Sequence, residues 1–166
     1  MPPLKLRPIL LLVAGIAVIL VVNLFSLAAY PMPHCDEAGN ASISWNAATR
    51  GIPAFDFLAQ DNALRNESGG RYMMLLAGNV LRVFGSSHLV HRLTSTTGWI
   101  LASILLYAVG RRLFSPMAGL IAAMAFTTSL NVFGASHIAR QEIWVIAAAL
   151  GLCLFYLHLR EGHTPW

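Results

Sequence analysis

The sequence predicts an all-α membrane protein of about four transmembrane helices with two interfacial helices in the first outer loop. Three observations carry that reading. The 166 residues are 57% hydrophobic and only 11% charged, with mean hydropathy +0.64, whereas a soluble domain carries about 25% charged residues. Four apolar runs are long enough for a hydrocarbon core of about 30 Å at about 1.5 Å per residue. Basic residues cluster at alternate ends of those runs, as cytoplasmic flanks do.

The first run, Pro8 to Tyr30, follows Lys5 and Arg7. It could be a cleaved leader, with Ser26-Leu27-Ala28 as a small-residue cleavage site, but it is longer than an ordinary h-region and further spans follow. An uncleaved anchor with a cytoplasmic N-terminus is the expectation. The second run, Leu93 to Gly110, ends at Arg111-Arg112; the third, Pro116 to Ser136, opens with proline in its first turn. The fourth, Ile143 to Leu159, ends at Arg160. Lys5, Arg7, Arg111, Arg112 and Arg160 then share the cytoplasmic side of a multi-pass protein of the plasma or inner membrane.

The outer loop covers about residues 31–92, too long for a mere connector. After Asp36, the residues Ala38, Ala41, Trp45 and Ala48 recur at helical spacing and end at Arg50-Gly51, which reads as a short helix on the membrane with a glycine stop. Asn62 to Gly70 is polar and reads as loop. Arg71 to Phe84 would reach only about 21 Å as a helix and carries Asn79 and Arg82. Its stripe of Met73, Leu76, Ala77, Val80 and Phe84 suits a helix lying in the interface. A fifth span there stays open, since Arg82 and Arg92 would also satisfy the charge rule. Four spans put Asp36, Glu37, Arg140 and Glu142 on one face; five would divide them.

Asp36-Glu37 lies just past the first run, where a lipid-borne head group would present itself. A carboxylate there can act as general base, or Asp36 can cap the following helix while Glu37 complements its dipole. Neighbouring helical positions point about 100° apart, so the two cannot share one job. If one is the base, the other organises a neighbouring group. Arg140 could grip a phosphate oxygen bidentately beside Glu142, or the two could form a structural ion pair. Arg71 and Arg92 are further phosphate candidates, or snorkelling residues.

Other chemistry has little support. His88-x-x-His91 lacks a third ligand at a recognisable spacing, so no metal is assigned, and Cys35 with Cys153 make no disulfide framework. Asn40-Ala41-Ser42 and Asn66-Glu67-Ser68 are weak glycosylation sequons. The formal charge of +4 is spread singly apart from Arg111-Arg112, which excludes a nucleic-acid stripe. No G-x-S-x-G, P-loop or G-x-G-x-x-G is present, so hydrolase, ATPase and nicotinamide readings fall away.

The ordered features together are more specific. A basic N-terminus, one span, Asp36-Glu37 and an interfacial helix precede a second helix ending L-R-V-F-G (Leu81 to Gly85). H-R-L-T-S (His91 to Ser95), a span ending G-R-R-L-F (Gly110 to Phe114) and A-R-Q-E (Ala139 to Glu142) follow. This order resembles the N-terminal part of the GT-C class of polytopic glycosyltransferases, among them the protein O-mannosyltransferases, the aminoarabinose transferases and the RgtA/B/C/D-like transferases. The resemblance runs from about Ile9 to Arg160 and marks the chain as one transmembrane domain, residues 1–166, from the front of a longer module.

It implies transfer of a sugar from a polyprenyl-phosphate-linked donor to a lipid, glycan or protein hydroxyl on the outer face. Asp36 would be the base beside Glu37, and Arg140 with Glu142, or Arg71, would meet the donor phosphate. A divalent cation is a possible cofactor by the same analogy only. Where relatives carry a Pro-rich stretch, this chain reads Ser68-Gly69-Gly70-Arg71, which removes some expected donor contacts. A different class of reading is a non-catalytic four-span protein that partners a larger one.

Overall fold

The computed structural model describes residues 6–27, 35–51, 71–140 and 142–162. Among these residues there are seven helices and no strand: α1 Leu6–Ser26, α2 Cys35–Arg50, α3 Arg71–Phe84, α4 His88–Leu113, α5 Pro116–Thr128, α6 Leu130–His137 and α7 Glu142–Gly162. The predicted loop Asn62 to Gly70 and the Asn66 sequon lie outside the described residues.

Helices α4 and α7 are each long and apolar enough to cross a membrane, and α5 with α6 makes a third, bent crossing. The 21 residues of α1 reach about 31 Å, again the thickness of a hydrocarbon core. Helix α4 begins earlier than its apolar run suggests. The Ser87 hydroxyl accepts the Val90 N–H at 3.2 Å, so the cap pulls His91 to Ser95 inside the helix. Ser115 caps α5 in the same way through Ala118 N at 3.1 Å, with Pro116 in the first turn as expected.

The third span departs from expectation. Pro116 to Ser136 reads as one helix in sequence, but the chain bends by 58° between α5 and α6. The Thr127 and Thr128 hydroxyls both turn back onto the Met124 carbonyl, at 2.9 and 2.8 Å, and such back-bonding competes with the helical ladder. Ser129 then takes extended backbone angles and starts α6.

Leu12 and Ile16 of α1, Trp99 and Tyr107 of α4, Leu120 and Ala123 of α5, and Ile143 of α7 form the buried apolar cluster. The two short helices pack on each other beside it. Helix α2 stops at Gly51, whose φ of +71° is the left-handed turn that glycine adopts without strain. Its apolar stripe is only part of its packed face, since Ala48 lies against α3. Ala38 is exposed and Ala41, Trp45 and Ala48 are half-buried, while Glu37, Ile43, Ser44, Asn46 and Ala47 turn inward.

Helix α3 has the bounds read from sequence. Gly78 lets it lie directly against α2: a Cβ there would collide with the Ser44 carbonyl oxygen and sit 2.8 Å from the Ala48 Cβ. Leu81 is buried on the same side, while Leu76, Val83 and Phe84 stay exposed. Gly78→Val should therefore push α2 off α3 at a cost of about 1–3 kcal/mol, seen as a lower melting temperature in detergent. An unchanged melting temperature would mean that the two helices do not depend on this approach.

Candidate functional site

A carboxylate buried near the end of a membrane helix must find a cation or lose its charge. Glu37, in the first turn of α2, is 1% exposed, and its partner is Arg92 on α4, which is 0% exposed. Arg92 Nε donates to Glu37 Oε1 at 2.8 Å and Nη2 to Oε2 at 2.9 Å, a two-pronged fork that only guanidinium offers. Its third nitrogen, Nη1, donates to the Leu27 carbonyl at 2.6 Å, where α1 has just ended. One side chain thus joins α1, α2 and α4. The His88 Nε2 lies 3.5 Å from Glu37 Oε2 on the outer side of this pair.

The same part of α4 holds the second motif. Ser95 Oγ donates to the Arg140 carbonyl at 3.1 Å, and the Trp144 indole N–H donates to the Thr94 carbonyl at 3.1 Å. Ala139, just before, is buried at φ +49°, an unusual angle for a residue with a side chain. At the end of α6, His137 is also fully buried. Its Nδ1 lies 2.9 Å from the Phe133 carbonyl, which can only accept, so Nδ1 carries the proton. Its Nε2 meets Ser26 Oγ of α1 at 3.1 Å. The A-R-Q-E segment is therefore tied to α4, and the end of α6 just before it to α1.

The five sequence-predicted residues fare differently. Glu37 and the Arg140 backbone are held within about one turn of each other on α4, through Arg92 and Ser95. The 2.8 Å bond between Glu37 and Arg92 sets the start of α2 beside the start of α4, an arrangement that suits an interfacial α3 and not a span between them. Arg140 and Glu142 are 44% and 58% exposed and meet at 3.6 Å, so the ion pair of the bland reading exists, in a form contributing about 0–1 kcal/mol. Asp36 lies in the first turn of α2 and Arg71 opens α3; the side chains of both fall outside what the structure describes.

Sequence reasoning offers Arg92 as a phosphate candidate or a snorkelling residue and misses its pairing with Glu37. Snorkelling toward water is ruled out by its complete burial. The available signal was an uncompensated Glu37 on one side of the outer loop and an arginine inside a helical run on the other. His91, 3% exposed, has neither ring nitrogen bonded. Among the described residues no three His, Cys, Asp or Glu side chains are grouped to hold a metal ion.

Residues 72–166, more than half of the chain, match the family model described as dolichyl-phosphate-mannose-protein mannosyltransferase. The match includes H-R-L-T-S, G-R-R-L-F and A-R-Q-E and begins after Asp36-Glu37 and Arg71. No curated protein and no solved structure matches the chain.

Removing one half of a buried pair leaves the other charge stranded, at a cost of about 3–5 kcal/mol. Arg92→Met should thus destabilise strongly, Arg92→Lys less, and Arg92→Met combined with Glu37→Gln should recover part of the loss. A double-mutant cycle of thermal stability measures this coupling. Strictly additive losses would mean that the two side chains act independently.

Proposed function

The chain belongs to the dolichyl-phosphate-mannose-protein mannosyltransferase family, and we propose that it transfers a sugar from a polyprenyl-phosphate carrier to an acceptor hydroxyl at the outer face of the membrane. The observation that carries this reading is the gathering of the acidic α2 N-terminus and the A-R-Q-E segment at one end of α4 by Arg92 and Ser95. A lipid donor needs that arrangement: a base on the water side and a cation for the phosphate, both at the border where the head group lies.

Of the two adjacent acids, Glu37 is committed to Arg92 and cannot be spared as a base without stranding a buried guanidinium. Asp36 is left for that role. Glu37 becomes the group that fixes the first turn of α2, and with it the place from which Asp36 reaches the acceptor. In the reaction, the Asp36 carboxylate takes the acceptor proton as the acceptor oxygen attacks the anomeric carbon. The bond from that carbon to the phosphate oxygen breaks, and the lipid phosphate leaves with the electron pair. Arg140 stabilises the departing charge by charge-assisted hydrogen bonds, with Arg71 as the other cation available for this. Glu142 holds Arg140 until a phosphate competes for it; their 3.6 Å contact is weak enough to exchange. The protein is multi-pass in this reading, with its N-terminus in the cytoplasm.

In membranes containing the protein, Asp36→Asn should lower sugar transfer from a polyprenyl-phosphate-linked donor by about 10²–10⁴-fold without changing the amount of folded protein. Near-normal transfer would leave Asp36 as a helix cap. Arg140→Lys should weaken donor binding far more than Glu142→Gln, because a point charge does not reproduce the fork. Equal small effects would reduce Arg140 to its ion pair.

Topology has its own measurement. Ser87 and Ser115 are exposed caps at the start of α4 and of α5. Cysteine placed at Ser87 should react with an impermeant reagent from outside, and at Ser115 only after permeabilisation. The reverse pattern would put the acid pair in the cytoplasm and remove the proposed site from the outer face.

A further inference from the structure

One buried side chain beside the candidate site is left without a partner. His91 of α4 is 3% exposed, and no described group bonds its Nδ1 or its Nε2. Buried polar atoms left unbonded destabilise a fold, so an orphaned ring calls for a reason outside stability. Helix geometry puts this ring between the two halves of the site. His91 comes four residues before Ser95, which places it about 6 Å outward along α4 and about 40° around it. Ser95 Oγ holds the Arg140 carbonyl at 3.1 Å, and Glu37 and His88 lie close enough to His91 to act on it electrostatically. Side chains on a helix lean toward its N-terminus, so the ring leans outward, under His88 one turn above. His88 is 35% exposed and meets Glu37 Oε2 only loosely, at 3.5 Å. It is a cover that a change of rotamer lifts, with the Glu37–Arg92 fork left in place.

We propose that His91 binds a hydroxyl of the donor sugar, with His88 as the cover of that subsite. This rests on the transfer reading above and adds the group that meets the sugar rather than the phosphate. A charged ring here would be a second buried cation, and Glu37 is already engaged by Arg92. The neutral ring offers one donor and one acceptor. A phosphate oxygen serves the N–H alone, whereas a hydroxyl both donates and accepts and so serves either nitrogen. Position agrees with this. With the phosphate at Arg140 and its lipid toward the bilayer, the sugar extends outward, to the level of His91.

Two lipids separate sugar from phosphate in a binding experiment. Dolichyl phosphate mannose, after which the family is named, and dolichyl phosphate are each titrated onto the full chain in detergent. His91→Leu, an apolar chain of similar size, should weaken binding of the mannosyl lipid about tenfold, the scale of one or two lost hydrogen bonds. Binding of dolichyl phosphate should not change. Because an orphaned ring is removed, the same variant should melt no lower than the parent when no lipid is bound. His91→Gln restores a donor and an acceptor, should recover part of the loss, and serves if the leucine variant does not fold. In His88→Ala, diethyl pyrocarbonate should modify His91, and the mannosyl lipid should protect it where dolichyl phosphate does not. Equal weakening toward both lipids would give the ring to the phosphate, and no weakening toward either would make it a structural group. Failure of His91 to react in His88→Ala would remove the cover. Each of these overturns the proposal. A parent protein that binds dolichyl phosphate but gains nothing from the mannose sinks the sugar subsite alone, whereas one that binds neither lipid sinks the transfer reading with it.

Discussion

The buried fork between Arg92 and Glu37 is the constraint on which the upper part of this molecule depends. Two charges withdrawn from water recover their hydration only through near-ideal geometry, and here the requirement fixes three helices together. Arg92 must stand with Nε and Nη2 on the carboxylate and Nη1 on the Leu27 carbonyl. That leaves α2 no freedom to slide along α4, and it sets where the chain leaving α1 must turn. A hydrophobic contact of the same size would hold the helices together but would tolerate slippage, because apolar packing has no direction.

Below that fork the same segment works by backbone carbonyls. Thr94 and Arg140 each offer an oxygen to a side chain of another helix, so the link from α6 to α7 is registered on α4 without any buried charge. The bend between α5 and α6 follows from this need. A straight continuation of α5 would carry His137 away from Ser26, whereas the 58° turn delivers it to the end of α1. The transfer chemistry proposed here therefore rests on buried polar contacts near the start of α4, while Leu12, Ile16, Tyr107 and Leu120 belong to the apolar cluster that packs the helices together.

Much of the architecture was legible because membrane spans announce themselves by length and composition. Helix α3 was found to the residue, since glycines and charges bound it, and the Ser-Pro start of α5 and the Gly51 stop are local chemistry. What escaped was non-local. Nothing near Glu37 in sequence indicates an arginine 55 residues on, and an arginine at the edge of an apolar run looks like any snorkelling residue. The bend at Ser129 was hidden for the opposite reason: threonines are ordinary in membrane helices, and only the geometry shows both hydroxyls turned onto one carbonyl. In α2, the apolar stripe marked only part of the packed face, because Glu37, Ser44 and Asn46 are buried beside Ile43 and Ala47 and look polar in a linear reading.

Ala139 carries a consequence for how Arg140 behaves. A left-handed alanine costs about 1–2 kcal/mol, and it is held there by its own burial and by the grip of Ser95 on the next carbonyl. The root of the Arg140 side chain is thus cast in place, while its guanidinium, 44% exposed, extends into the open. The result resembles a crane with a bolted base and a free arm: the reach is defined to within one side-chain length, but the direction is not. In the proposed reaction such a cation would follow the lipid phosphate from diester to monoester, as its charge rises, without any helix having to move.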